Sequence, residues 1–372
     1  MSDSAKGSLM RGTSDPTPAA QSGSDGPPDQ VPTEPGSTGH GSTGRAWTGR
    51  ASRGLVTIVI ATVALFVVSL VVQPESLSRS SIQGMLPFAA VLAIIALGQT
   101  LVIQQGGIDL SVPGNVSLSV IIVTHFPNGD SGKLFLAVVF AYAASLAAGL
   151  LTGWFVSRLG LSAIVTTLGT NALLYAGVLG ISGGSPTSTT SALHTIAAGQ
   201  FLGLSYAVYF AVVLTIVVGF LIKRSVAGRR FEAVGANPAA ADLVGLRVRR
   251  HQLGAYVWAS LLYTTAGILL GGIVTTPGAF QGDSQLLPSV AAVVLGGTSL
   301  LGGKGSPVAS AVAALFLSQL DQFVLTLGVN PAAGNIVQAL ALAAGVAVYT
   351  VNWTALRGWL RHRGSVRDVL RT

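Results

Sequence analysis

Residues 223–250 read KRSVAGRRFEAVGANPAAADLVGLRVRR, and this is the only long interior stretch too charged to sit in hydrocarbon. It carries seven Lys and Arg residues between two apolar runs, each long enough to cross a bilayer. The side it faces therefore fixes the orientation of everything else. Its middle holds the signals of a short helix. Asn237 can cap the first free amides, Pro238 suits the first helical position where no amide proton is needed, and Gly245 offers a left-handed stop after Leu243 and Val244. A short helix held at a membrane surface is a contact device.

Half of the 372 residues are hydrophobic and 9% are charged, against about a quarter charged in a soluble domain. Most of the chain must be solvated by lipid, and the expected class is an all-α polytopic membrane protein. The net charge of +8 does not imply nucleic acid, because the basic residues lie in short loops beside apolar spans, where they meet anionic lipid and set topology. There is no cysteine, which excludes disulfides and thiolate chemistry.

Residues 1–44 form a tail of Ser, Gly, Pro, Thr and Asp that lacks the apolar surface to offset chain entropy, and disorder is expected there. The first apolar run begins near Leu55, too far along for a signal peptide, and is read as a retained span. Ten membrane helices are expected: Leu55–Val72, Gly84–Ile103, Leu110–Phe126, Leu134–Val156, Leu161–Ile181, Leu204–Ile222, Leu253–Val274, Leu286–Leu301, Pro307–Leu327 and Asn335–Val351. The third and eighth are short and rich in Gly or Ser, so they are candidates for broken, tilted or re-entrant helices. With ten spans and both termini cytoplasmic, seventeen Lys and Arg residues fall on the cytoplasmic side near the membrane, against Arg79 and Lys133 outside. Nine or eleven spans would scramble that segregation. The permease-like bundle then covers 45–352, with a basic cytoplasmic tail at 353–372. The outer face carries the loops Ser182–Phe201 and Thr275–Gln285, either of which could receive a partner.

Catalytic groupings are missing from the spans. The five histidines are scattered without helical spacing, which argues against a metal site, and His194 reads as a surface residue. The run GGTSLLGGKGS (296–306) looks at first like a phosphate loop, but the Gly required five residues before Gly303 is Thr298, and Gly305 follows Lys304 instead of Ser or Thr. No ATP site of its own is expected. Asp321, flanked by Gln319 and Gln322, is the one carboxylate placed inside a span; it marks either a pathway or a side chain near a helix end reaching up to water. An ion-coupled carrier would need more buried acids. Gln99 and Asn171 are buried amides that either bond between helices or touch a solute, whereas Gly149, Gly177 and Gly267 read as small residues for close helix packing.

Five stretches, in order and spacing, resemble the membrane permeases of ribose- and xylose-type ABC importers: ALGQTLVIQQGGIDLSVPG (96–114), TLGTNALLYAGVLGISGGSPTS (167–188), GRRFEAVGANPAAADLVGL (228–246), AAVVLGGTSLLGGKG (291–305) and GVNPAAGNIVQALALAAGVAVY (328–349). The likeness covers about 55–350. It implies a type II ABC importer-like bundle, a second permease copy in a homodimer, cytoplasmic ATPase subunits that carry ATP and magnesium, and an external sugar-binding protein. It also implies that the helix after Asn237 docks on the ATPase, with Gly235, Asn237, Pro238, Ala240, Ala241, Leu243, Val244 and Gly245 carrying the contact. The alternative for that helix is to rest on the bilayer. Gly106–Ser111 match the family signature GGIDLS. Gly107, Asp109 and Ser111 are thereby candidates, with Gln99, Asn171, Gln319 and Asp321, for the translocation path or its gate. Asp109 is expected near the cytoplasmic boundary, where capping the third helix is the simpler role. Paired glycines at 106–107, 296–297 and 302–303 would permit backbone breaks beside a cavity.

The sequence departs from the family at Pro113, Leu286, Pro288 and Tyr349, where Gly, Glu, Asp and Asp are common. That leaves the fold expectation intact and the cargo open. A monosaccharide is expected, with a nucleoside, an amino acid or another polar solute as alternatives and an ion-coupled carrier as the more distant one.

Overall fold

The computed structural model describes residues 49–328 and positions 336, 339 and 340, with burial from residue 54 onward. Seven of the described helices are long and apolar enough to cross a membrane. They are α1 (Gly49–Val72), α2 (Arg79–Gln104), α4 (Leu134–Leu159), α5 (Ala163–Ser182), α7 (Tyr206–Arg224), α10 (Val248–Ile273) and α12 (Pro307–Thr326). Two shorter apolar helices, α3 (Val112–His125) and α11 (Leu286–Leu295), stand where the third and eighth spans were expected. Nine of the ten expected spans are thus accounted for. The tenth, with the tails 1–44 and 353–372, lies outside the described residues apart from three positions in the tenth. Short elements complete the chain: α6 (Ser191–Ala198), α8 (Val226–Ala236), α9 (Pro238–Leu243) and a hairpin of two-residue strands, β1 (Gln200–Phe201) and β2 (Leu204–Ser205).

The bundle is arranged around α2 and α10. Buried positions make up 89% of the apolar window of α2 and 67% of that of α10, against 17% for α1 and 22% for α7, so the latter two form the rim. Small residues let the central pair approach. A Cβ on Gly98 would stand 2.6 Å from the Tyr263 ring and 3.0 Å from the Ala259 carbonyl oxygen. On its other sides α10 receives α4 through Gly149 and Gly153, and α3 through its own Gly267. Gly149 and Gly267 are therefore packing glycines, as expected, while Gly177 lies only at ordinary contact distance from Leu118.

The half-length helices give the fold its functional shape. At 14 and 10 residues, α3 and α11 span about 21 and 15 Å, too short for a hydrocarbon core of about 30 Å. Contacts of α3 with Gly267 and Gly271 run it alongside the upper half of α10, away from the α9 end. After Ile273 the chain turns back into the bundle. Gly282 donates its amide to Ser117 Oγ at 2.9 Å, and a Cβ there would collide with the Pro113 carbonyl oxygen. Residues 275–285 thus form a loop at the end of the bundle opposite α9 only at their start, where Thr189 N donates to Thr275 O at 3.0 Å. Their later part descends to meet the beginning of α3 before α11 continues toward the α9 end. Lipid cannot solvate a backbone break at that depth, and the two interrupted segments meet each other instead of hydrocarbon.

Candidate functional site

Two places concentrate the residues singled out above: a joint at the α9 end and a polar break at mid-depth.

The joint starts from local capping. Asn237 is extended (φ −156°, ψ 95°) and its Oδ1 accepts from Ala240 N at 3.0 Å, while Pro238 opens α9. The helix closes where Gly245, at φ +79°, donates to Asp242 O at 2.9 Å and Leu246 N donates to Ala241 O at 3.0 Å. Ala241 is buried, which sets the inward face. Leu243 and Val244, at 90% and 76% exposure, project outward, and Ala240 is exposed beside them. An apolar pair so exposed on a capped, fixed turn is an unpartnered contact surface.

α9 hangs from α8, and α8 is held to the bundle by backbone. Gly235 packs on the Gln104 carbonyl so closely that any Cβ would collide with it. The same carbonyl accepts from Gly303 N at 2.8 Å. A Cβ on Gly303, which sits at φ +76°, would stand 2.6 Å from Ala236 Cα. Gln105 Nε2 adds a bond to Phe231 O at 2.9 Å. Three chain segments therefore meet backbone against backbone at Gly235 and Gly303, with the Gln105 side chain as a brace: the end of α2, the end of α8, and the loop between α11 and α12.

From this joint Gln105–Ser111 climbs to the break. Gly107 lies under the Tyr256 hydroxyl, and a small crevice below it is lined by Gln105, Val156, Ala163, Gln252 and Tyr256. Asp109 is 2% exposed, and its Oδ1 accepts from Ser111 N at 2.9 Å and Ser111 Oγ at 2.6 Å, with the Tyr263 hydroxyl also facing it. That hydroxyl donates to Gln99 Oε1 at 2.9 Å. Asn115 Nδ2 donates to Ser111 Oγ at 3.1 Å, extending the cluster into α3. Tyr263 is 15 residues into α10, about 22 Å from its start. Asp109 is thus deep in the bundle and not at the cytoplasmic boundary, because residues 105–111 rise toward the truncated start of α3. Its turn around Ser111 precedes the helix, and Ser111, the residue before α3, makes no side-chain cap.

The structure brings Gln99, Gly107, Asp109 and Ser111 together. Asn171 sits nearby on α5, where its Oδ1 accepts from Gly114 N at 2.8 Å and braces the first turn of α3. Gln319 is elsewhere: its Nε2 donates to Ser69 Oγ at 3.2 Å, a tie between α12 and α1. Asp321, half-buried, lies five residues before the end of α12 away from the joint. His194 is exposed, as expected of a surface residue, and its Nδ1 donates to Gly272 O at 2.9 Å, which fastens α6 to α10. Sequence reading missed Gln104 as the partner of Gly235, and Tyr175 and Asp283, which are hydrogen-bonded across α5 and the descending segment. Asp283 falls in the stretch Thr275–Gln285, which the span count alone places in a loop.

Residues 81–345 match the family described as the permease component of the branched-chain amino acid transport system. The chain belongs to this family. A probable ABC transporter permease protein of Sinorhizobium fredii is 33% identical over 74% of this chain and 83% of its own length. The fructose import permease protein of Bifidobacterium longum is 33% identical over 66% of this chain and 70% of its own. The ribose import permease protein of Escherichia coli K12 is 31% identical over 74% and 88%. No solved structure matches. The chain is therefore the permease subunit of an ABC importer, a multi-pass protein of the inner membrane. It is a transport subunit and not an enzyme: ATP is hydrolysed on a separate ATPase partner, and a solute-binding protein is the other partner of such permeases.

Proposed function

We propose that this permease carries a monosaccharide, delivered on the outer side by a sugar-binding protein, and that α9 is the point where the ATPase drives it. Support for the cargo comes from relatives whose names specify ribose and fructose. The observation that carries the drive is the joint. Displacement of α9 bears through Gly235 on the end of α2 and on Gly302–Gly303, and thence on the segment that holds Gly107, Asp109 and Ser111. Both the half-helix break and the loop before α12 are then moved by one push, as alternating access requires. ATP and magnesium remain on the partner. Two copies of this chain form the pathway between them, the α9 end faces the cytoplasm with both termini, and lipid surrounds α1 and α7. At the other end the polar cleft of Ser188–Ser191, His194, Thr275 and Thr276 is the place for the binding protein.

The test is reconstitution of the chain with its ATPase and binding protein, measuring ATP-dependent uptake of ribose, fructose and a branched-chain amino acid. Uptake of a monosaccharide that stops without ATPase is expected. Uptake of the amino acid alone would reassign the cargo, and uptake driven by a proton or sodium gradient without ATPase would overturn the reading.

A further inference from the structure

One carboxylate stands where lipid cannot receive it. Tyr175 is 12 residues past the start of α5 and 7 before its end, about 18 and 10 Å along the axis, so it lies well inside the membrane-spanning length. Its hydroxyl donates to Asp283 Oδ1, and the adjacent Gly282 is bonded to Ser117, eight residues before the end of α3, so Asp283 is held below that end of the bundle. Asp283 is nevertheless exposed. Among the described residues the ion pairs are Lys133–Asp130 and Lys223–Glu232, so no cation neutralises it. An uncompensated, exposed carboxylate at that depth faces a water-filled cavity or a partner protein, not hydrocarbon.

Its surroundings have a definite chemistry. The Phe280 ring meets Tyr175 edge to face at 5.0 Å and 77°, and is itself 40% exposed. The Asn171 side chain also reaches the Tyr175 hydroxyl. All of this is held firmly, because Gly282 is bonded to Ser117 and Asn171 to Gly114, both on α3. An exposed aromatic ring beside a carboxylate and an amide suits a solute with an apolar C–H face and several hydroxyl donors.

We infer that Phe280, Asp283, Tyr175 and Asn171 form a contact station for a polyhydroxylated solute on the wall of the aqueous path. The ring covers a C–H face, the carboxylate accepts from solute hydroxyls, and Tyr175 holds the carboxylate in position. The choice of a sugar rests on the function proposed above. The location of the path on this face does not depend on that choice.

The chain has no cysteine, so single-cysteine variants report cleanly. Asp283→Cys and Phe280→Cys, in the full chain reconstituted with its ATPase in lipid, are treated with a charged methanethiosulfonate, with Ile216→Cys as control. Ile216 is 63% exposed near the middle of the rim helix α7. Both test cysteines should react at least ~10-fold faster than the control, which is shielded by lipid. Two unreactive test positions, with and without ATP, would overturn the inference, as would an inter-copy disulfide at position 283 without labelling. In uptake assays with the transported monosaccharide, Asp283→Asn and Phe280→Ala should cut the rate ~10-fold, as expected when a site loses an acceptor or its stacking surface, and the sugar should slow labelling at 280. Wild-type uptake rates in both variants would overturn the solute contact. If wild-type vesicles take up no monosaccharide, the cargo proposal fails on that result, while labelling still decides whether this face is aqueous.

Discussion

Gly235 is the residue whose side chain matters by being missing. Any Cβ there collides with the Gln104 carbonyl, a backbone atom already bonded to Gly303, so Gly235→Ala cannot be relieved by a rotamer change. Overpacking of this kind costs about 1–3 kcal/mol, but the strain falls on the joint and not on the α2–α10 core. ATP-driven uptake should therefore fall far more than the melting temperature, and measuring both on one preparation separates the two. Equal fractional losses would mean that the joint is only structural. Asn237, Pro238 and Gly245 could be read from the sequence because capping is decided by neighbours within a few residues. Gly235 was named only through a family pattern, since its partner Gln104 is far away along the chain. Asp109 was recognised but misplaced in depth, because nothing local reveals that residues 105–111 climb.

Among the elements, α9 presents two faces with opposite expectations. Leu243 and Val244 are outward and Ala241 is inward, so Leu243→Asp or Val244→Asp should abolish ATPase binding in a pull-down while leaving the permease fully folded. Ala241→Glu should instead destabilise the permease itself, because it buries an unpaired charge. If the outward variants bind the ATPase normally, α9 is not the docking element. The half-helices α3 and α11 show how far hydropathy reaches. Their Gly- and Ser-rich sequences gave warning of short or broken spans, and both are short. The descent of residues 279–285 gave no such warning. Polar residues at depth look the same in sequence as polar residues in a loop, and only the contacts of Gly282 with Pro113 and Ser117 distinguish them.

Taken as a whole, the molecule has a buried axis, α2 and α10, and a rim of exposed apolar helices that lipid can cover. The polar face of α5 with Asp283 is unsuited to lipid, and in a two-copy assembly it would belong to the path between subunits. The permease should accordingly purify in lipid nanodiscs with the mass of two chains, measured by light scattering; a stable single chain would contradict the shared pathway. The joint has a mechanical consequence. Side chains ordinarily act as compliant padding between helices, shifting rotamers to take up small displacements, whereas peptide groups in direct contact have almost no slack. With Gly235, Gly302 and Gly303 bare against Gln104 and Ala236, the linkage behaves as a rigid bearing under compression. A thrust delivered to α9 is passed on with little backlash, so even a short stroke would reach the far side of the break.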